Sequence, residues 1–219
     1  YPEIFGALPT ESGAETTAQA KVISGIMWGK EEAFEAMEKI FVETSAFFSD
    51  SPYIHNGGDE ADIKGWETCP QTQKFMAEKG LCDVHALYGY MIARLCEMVL
   101  KEGKIPVVWE GFRKECNAMI PKGTLVFAWE SYYQIAPDLL EAGFQIINSS
   151  WQPLYVVTPK PMWDPEVILD WEKNIWDHWW PKSFAHEKPI EVPKNDLILG
   201  GQLFAWGDKM QPTRAYAER

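Results

Sequence analysis

Asp59 and Glu60 are adjacent carboxylates directly behind two glycines, in the run His55-Asn56-Gly57-Gly58-Asp59-Glu60. Two acids this close disfavour each other's ionisation, so the pKa of one is expected to rise. Acid–base chemistry requires that split: one group protonated and able to donate, the other charged and able to stabilise a cation. Successive side chains on a strand point to opposite faces. Both acids reach one site only if the backbone leaves strand geometry, which Gly57 and Gly58 permit. A bare Gly-Gly-Asp-Glu is ordinarily a solvated turn. Here it follows the strand-like run Pro52-Tyr53-Ile54-His55 and precedes Trp66, the setting of an active-site strand end. His55 beside two carboxylates raises a metal site as an alternative. No second histidine is nearby, so it reads instead as a support for the acids.

Other candidates for chemistry stand at the ends of apolar runs. Trp109-Glu110 closes Ile105–Trp109, and Trp129-Glu130 closes Leu125–Trp129. Asn148-Ser149-Ser150 precedes Tyr155, and Leu199-Gly200-Gly201-Gln202 leads into Trp206-Gly207-Asp208. Glu110 and Glu130 either line a site or cap the next element.

The elements that would position these residues alternate in type. Strands are expected at 52–55, buried, and at 105–109, 125–129, 144–148 and 197–204. Helical spacing of apolar residues predicts helices over 31–48, where Ala33, Phe34, Met37, Ile40, Phe41 and Ser45 recur. It also predicts them over 72–79 and over 84–102, where Leu87, Met91, Leu95 and Met98 share a face. Shorter helices are expected around 114–120 and 135–142, and one or two within a Trp- and Pro-rich insertion at 165–178. Residues 1–29 read as loop. Strands alternating with helices imply parallel pairing through helical crossovers. A closed barrel of that kind has eight strands and carries its chemistry at their C-terminal ends. Five are countable here.

Composition narrows the partners. The chain has 219 residues, 46% hydrophobic and 24% charged, in the range of a globular domain. A net charge of -12 argues against nucleic acid and anionic membranes, and no transmembrane run is present. A neutral sugar passing through a positive transition state is compatible with it. The 11 tryptophans are the outlier. They serve core packing, or a sugar site where indole stacks on the C–H face of a pyranose ring. Cys69, Cys82, Cys96 and Cys116 have neither metal nor redox spacing and leave the compartment open.

The hexapeptide from His55 to Glu60 resembles the signature of glycoside hydrolase family 20, the β-N-acetylhexosaminidases. The later strand ends resemble the family in order, over nearly the whole chain. The resemblance implies a (β/α)8 TIM barrel, here a partial barrel covering about strands 4 to 8. The whole of 1–219 is then part of a single catalytic barrel without its first strands. On that expectation the chain alone would aggregate and lack activity. The resemblance also implies a retaining exo-glycosidase acting on terminal β-linked N-acetylglucosamine or N-acetylgalactosamine of a glycan. The substrate's 2-acetamido oxygen would be the nucleophile, an exception to the two-carboxylate scheme. Glu60 would be the general acid and base, and Asp59 would orient the amide and stabilise the oxazolinium-like intermediate. Trp109, Trp129 and Trp206 resemble walls around the terminal sugar, and Tyr155 a hydroxyl donor to the acetamido carbonyl. Asp208 stands where the family usually has a longer glutamate contacting sugar hydroxyls. No cofactor and no metal is implied.

Two departures bear on substrate recognition. Val157 stands where the family often has an aspartate, and the substrate-binding arginine near the first strand is not found. The competing expectations are a carbohydrate-binding barrel without catalysis, a family variant with another glycan preference, and a metal-dependent hydrolase built on His55, Asp59 and Glu60.

Overall fold

The computed structural model of the chain describes residues 28–61, 63, 65–157 and 164–206. The expected loop over 1–29 lies almost entirely outside them. The chain divides into two compact units, Tyr1–Pro106 with Glu115–Pro121, and Val107–Lys114 with Lys122–Arg219.

In the first unit, α1 (Glu31–Phe47) leads to the short strand β1 (Tyr53–His55), followed by α2 (Pro70–Lys79) and α3 (Val84–Lys101). The Asp83 side chain accepts the Ala86 N–H at 2.7 Å, satisfying one of the free donors at the start of α3. Leu87, Met91, Leu95 and Met98 are all buried, as their spacing predicts. α1 packs on α3 through Phe34, whose ring meets Tyr90 edge-on at 5.9 Å and lies under the Arg94 guanidinium at 4.5 Å. Gly89 lets α3 approach the segment after it. A Cβ there would collide with the Sγ and Cβ of Cys116. The turn after α1 is held by Lys104, whose ammonium donates to the carbonyls of Phe48, Ser49 and Ser51 at 3.1, 2.8 and 2.6 Å. The next residue, Ile105, donates its N–H to the Pro52 carbonyl at 2.7 Å. Strand β1 is less buried than expected. Only Ile54 is enclosed and Tyr53 is 46% exposed, because side chains alternate across a strand and one face here is open.

Strand β2 (Ile105–Trp109) begins at the end of the first unit and runs into the second. A single 3-10 turn, Lys114–Cys116, replaces the helix expected near 114–120. Then follow β3 (Leu125–Ala128), α4 (Ala136–Glu141), β4 (Gln145–Asn148), the one-turn α5 (Trp151–Leu154), β5 (Tyr155–Val157) and α6 (Pro165–Leu169). After them come β6 (Ile175–Trp176), β7 (Ile190–Glu191), β8 (Ile198–Gly201) and β9 (Phe204–Trp206). Strands β2, β3, β4 and β8 pair in that order and all in parallel, Val107 opposite Leu125, Leu125 opposite Gln145, and Ile146 opposite Ile198. Val108, Val126 and Ile146 are fully enclosed, as expected of strands covered on both faces.

Two further expectations are revised in extent. The last strand is not continuous over 197–204. It breaks after Gly201, and β9 pairs in parallel with β5 instead. Gly201 sits against the Trp171 ring with no room for a Cβ, and Gln202 N–H then donates to the Asn148 carbonyl at 3.1 Å. Of the one or two helices expected within 165–178, one forms, Pro165–Leu169, and the rest of the span is not helical. Ile175 and Trp176 pair antiparallel with Glu191 and Ile190. Trp176 is fully buried and its indole N–H donates to the Ala128 carbonyl at 2.9 Å, so a tertiary anchor overrides local helix propensity.

Gly89→Ala tests the close approach on α3. Alanine gains roughly 1 kcal/mol of helix propensity, but overpacking against Cys116 loses about 1–3 kcal/mol. A net loss in stability is expected by urea titration. Equal or higher stability would show that the Cys116 segment yields freely.

Candidate active site

The acid pair sits in the first unit on a turn built as the glycines predict. Gly57 and Gly58 have φ of 72° and 95°, and Glu60 itself has φ of 49°. The left-handed region is natural for glycine and strained, by roughly 1–2 kcal/mol, for a residue with a side chain. The turn is tied locally. Gly57 donates its N–H to His55 Nδ1 at 3.0 Å, and the Asn56 amide contacts Cys96 Sγ on α3 at 3.6 Å. His55 is therefore neutral with its proton on Nε2. It keeps an exposed edge, yet loss of water around the ring pushes its pKa down to about 4. Trp66 is buried and packs near Tyr88 of α3, a core role.

Asp59 is half-buried and Glu60 exposed. Burial pushes the Asp59 pKa up to about 6, with repulsion from Glu60 as the second cause. One carboxyl of the pair is raised, as adjacency predicts, with desolvation the larger source; it is Asp59, the member that the resemblance casts as the charged partner, and not the expected proton donor Glu60. At neutral pH Asp59 is still mainly charged, although less firmly than a solvated carboxylate.

The aromatic candidates lie in the second unit at strand ends. Trp109 closes β2, Trp129 follows β3, Tyr155 opens β5 and Trp206 closes β9. Parallel pairing of these strands gathers their ends into one cluster. Trp109 lies 6.1 Å from Trp129 and 6.2 Å from Trp206, and Tyr155 lies 6.1 Å from Trp129 and 6.4 Å from Trp206, all between ring centroids. Their surroundings differ. Trp129 and Tyr155 are buried, and the Trp129 indole N–H donates to the Glu110 carbonyl at 3.0 Å. Trp206 is 43% exposed and lies parallel to Phe204 at 5.9 Å. Asp208 lies outside the described residues, as does any account of the Val157 side chain. Phe127, Trp151 and Phe204 complete the cluster and were not singled out from the sequence. Their signal was aromatic type at, or just past, strand ends.

Glu110 proves to be the cap of a loop. It is 1% exposed, and its carboxylate accepts five backbone N–H groups. Oε2 takes Glu130 and Ser131 at 3.1 and 2.8 Å, while Oε1 takes Tyr132, Tyr133 and Gln134 at 3.3, 3.0 and 3.3 Å. Burial pushes its pKa up to about 7 against the pull of these donors. Glu130 contributes its carbonyl, which accepts the Ser183 hydroxyl at 2.6 Å. Asn148, fully buried at the end of β4, donates to the Lys173 and Ile175 carbonyls at 3.1 and 2.7 Å and accepts the Ser150 N–H at 2.8 Å. Among the described residues no three His, Cys, Asp or Glu side chains gather as a metal site.

Residues 1–218 match glycosyl hydrolase family 20, catalytic domain, and the chain belongs to that family. It is 28% identical over 185 residues to mouse β-hexosaminidase subunit alpha, covering 82% of this chain and 32% of that protein. It is 29% identical over 180 residues to the β-hexosaminidase of Vibrio furnissii, covering 79% and 28%. The chain thus spans about a third of the length of the curated relatives it matches. Its structure resembles the Vibrio harveyi family 20 exo-β-N-acetylglucosaminidase in complex with N-acetylglucosamine. The TM-score is 0.65 at 24% identity, over 88% of this chain and 30% of that one. It also resembles the Bacteroides fragilis β-N-acetylhexosaminidase, with a TM-score of 0.64 at 19% identity, over 84% and 37%. These likenesses show the fold: this chain carries part of the (β/α)8 barrel architecture of the family.

Glu110→Gln tests the loop cap. An amide turns a donor toward N–H groups that need acceptors, and breaking buried hydrogen bonds to a charged group should destabilise by about 3 kcal/mol. Chemical denaturation measures it. A change within about 0.5 kcal/mol, as for an ordinary surface substitution, would show that water can replace the carboxylate.

Proposed function

We propose that this chain supplies the acid pair and the sugar-binding aromatic residues of a retaining exo-β-N-acetylhexosaminidase, acting on terminal N-acetylglucosamine or N-acetylgalactosamine of a glycan. The observation that carries the reading is the His55–Glu60 turn. Its two left-handed glycines and strained Glu60 present two adjacent carboxylates in unequal environments, in a chain of family 20.

Glu60 donates its proton to the glycosidic oxygen as the bond from that oxygen to C1 breaks. The acetamido carbonyl oxygen of the same sugar bonds to C1 from the opposite face, giving an oxazolinium-like ring. Asp59, charged, accepts the acetamido N–H and stabilises the positive charge. Glu60, now a carboxylate, takes a proton from water, which attacks C1 and reopens the ring. Two inversions at C1 give net retention. We assign Trp109, Trp129, Tyr155, Trp206 and Asp208 to binding the terminal sugar, with His55 supporting the acid turn. Trp129 and Tyr155, buried in the aromatic cluster, back the wall from behind. The exposed Trp206 suits a face that closes on the sugar ring.

Glu60→Gln in the full-length protein should cut kcat/KM on unactivated glycosides by about 10²–10⁴. The loss should be much smaller on aryl glycosides, whose leaving groups need less protonation. Equal losses on both would remove Glu60 from the acid role.

The Asp59 pKa sets the acid limb of activity. The mechanism uses the charged form, present above about pH 6 and lost as pH falls through that value. The kcat/KM of the full-length protein should therefore drop below about pH 6, and Asp59→Asn should abolish that limb together with most activity. A profile flat down to pH 4 would exclude a required Asp59 carboxylate with this pKa.

A further inference from the structure

Asn56 follows β1 and opens the turn that carries Asp59 and Glu60, and its side chain leaves that turn for α3. The amide Nδ2 donates to Cys96 Sγ at 3.6 Å. Sulfur is a weak acceptor, so the bond is worth little in energy, but it fixes a direction. Cys96 itself is set in a rigid support. It is fully enclosed, and Ile92, Leu95 and Val99 around it on the same helix are buried. That helix has 18 residues, and the Asp83 side chain caps its start. Among the described residues this is the one side-chain hydrogen bond that ties residues 56–60 to a helix.

Two features give the amide a task beyond packing. Asn56 Oδ1 is buried and has no hydrogen-bond partner. An acceptor left unpaired out of water costs stability. A leucine of similar volume would fill the space without that cost. The turn beyond Asn56 also has little else to fix it. Gly57 and Gly58 are left-handed, and a Cβ on Gly57 would meet nothing within 4 Å. Glycine thus gives the backbone freedom at the place where two acids must be held still. The bond from Gly57 N–H to His55 Nδ1 spans two residues and moves with the turn. A contact to a rigid helix can set the depth of the turn, and with it the half-burial of Asp59.

We infer that Asn56 is a positioning residue for the reaction: tethered to Cys96, it holds the turn against α3 and so sets the depth and angle at which Asp59 and Glu60 meet the substrate. It touches no reacting atom and acts through the backbone of Gly57 and Gly58. This rests on the function proposed above. The tether then also governs how much water reaches Asp59. Glu60 is the charged group that acts on Asp59, His55 beside them is neutral, and α3 presents the free thiol of Cys96.

The test is a double-mutant cycle in the full-length protein, with kcat and KM on chromogenic N-acetyl-β-hexosaminides measured across pH. Asn56→Leu and Cys96→Ala should each lower kcat about tenfold with KM nearly unchanged. A slightly displaced turn leaves the sugar bound but misplaces the acids. The double variant should lose no more than the worse single one, because both remove the same contact. Each single variant should also move the acid limb to lower pH. Water regained by Asp59 favours its charged form, which then persists further down. Cys96→Ser keeps an acceptor and should keep both the kcat and the limb of the wild type. The Cys96 pair carries the test where Asn56→Leu does not fold. Losses that add in the double variant, a lower kcat with an unmoved limb, or single variants that match the wild type each overturn the positioning role while leaving the hexosaminidase reading intact. A wild-type protein that cleaves neither an N-acetyl-β-glucosaminide nor an N-acetyl-β-galactosaminide overturns both.

Discussion

The second unit is organised around one buried carboxylate. Glu110, one residue past β2, accepts five N–H groups from residues 130–134, the loop that follows β3. A hydrogen bond to a charged group is worth about 1.5–3 kcal/mol, so five are needed to oppose the much larger cost of taking a carboxylate out of water. The raised pKa shows burial outweighing the pull of the donors. What the arrangement secures is geometry. It holds Ser131 at a φ of 50° and turns the Glu130 and Ser131 carbonyls toward Ser183 and Phe184. The Gln134 amide closes the loop by donating to the Phe112 carbonyl at 2.9 Å. The strand-end aromatics and the insertion beyond them thus inherit their positions from a residue that itself touches no exposed surface.

The acid turn of the first unit is held differently, by backbone conformation. Left-handed Glu60, unlike the glycines at 57 and 58, departs from what local preference favours, and Asp59 is kept partly out of water where a carboxylate is least comfortable. Strain and desolvation at adjacent positions concentrate in functional sites, because only function retains them against the stability they cost. Their supports are ordinary by comparison: Lys104 on three carbonyls before β1, and Asn56 against Cys96 behind it.

Much of this was legible in the sequence wherever the determinant was local. The spacing of Leu87, Met91, Leu95 and Met98 fixed the buried face of α3, and apolar runs placed β2, β3 and β4 within a residue or two. Gly-Gly before Asp-Glu announced a departure from strand geometry. The misses were non-local. Strands β5, β6, β7 and β9 have two or three residues each, too short for a period to register, and exist because tertiary partners capture them. Trp176 carries the helix-like run of 165–178 into a hairpin by burying its ring and bonding to Ala128, a contact 48 residues distant. Glu110 could not be assigned because its donors begin 20 residues away and belong to the backbone, which has no sequence signature.

The tryptophan excess follows from the same physics. Along one row of rings exposure rises from Trp129 at 7% to Trp206 at 43%, while Trp176, at 0%, anchors the insertion from below. A sugar-binding wall needs large rigid faces, and a face exposed to water holds its angle only if something buried behind it is rigid as well. Using the same residue type for both tasks lets ring contact transmit the orientation directly, as from Trp129 and Tyr155 to Trp206. Replacing a buried member by an aliphatic residue of similar hydrophobicity would preserve core burial yet leave the exposed ring without its backing. Composition alone therefore could not separate core tryptophans from binding ones: they are consecutive parts of one stack, and the division between them is set by depth.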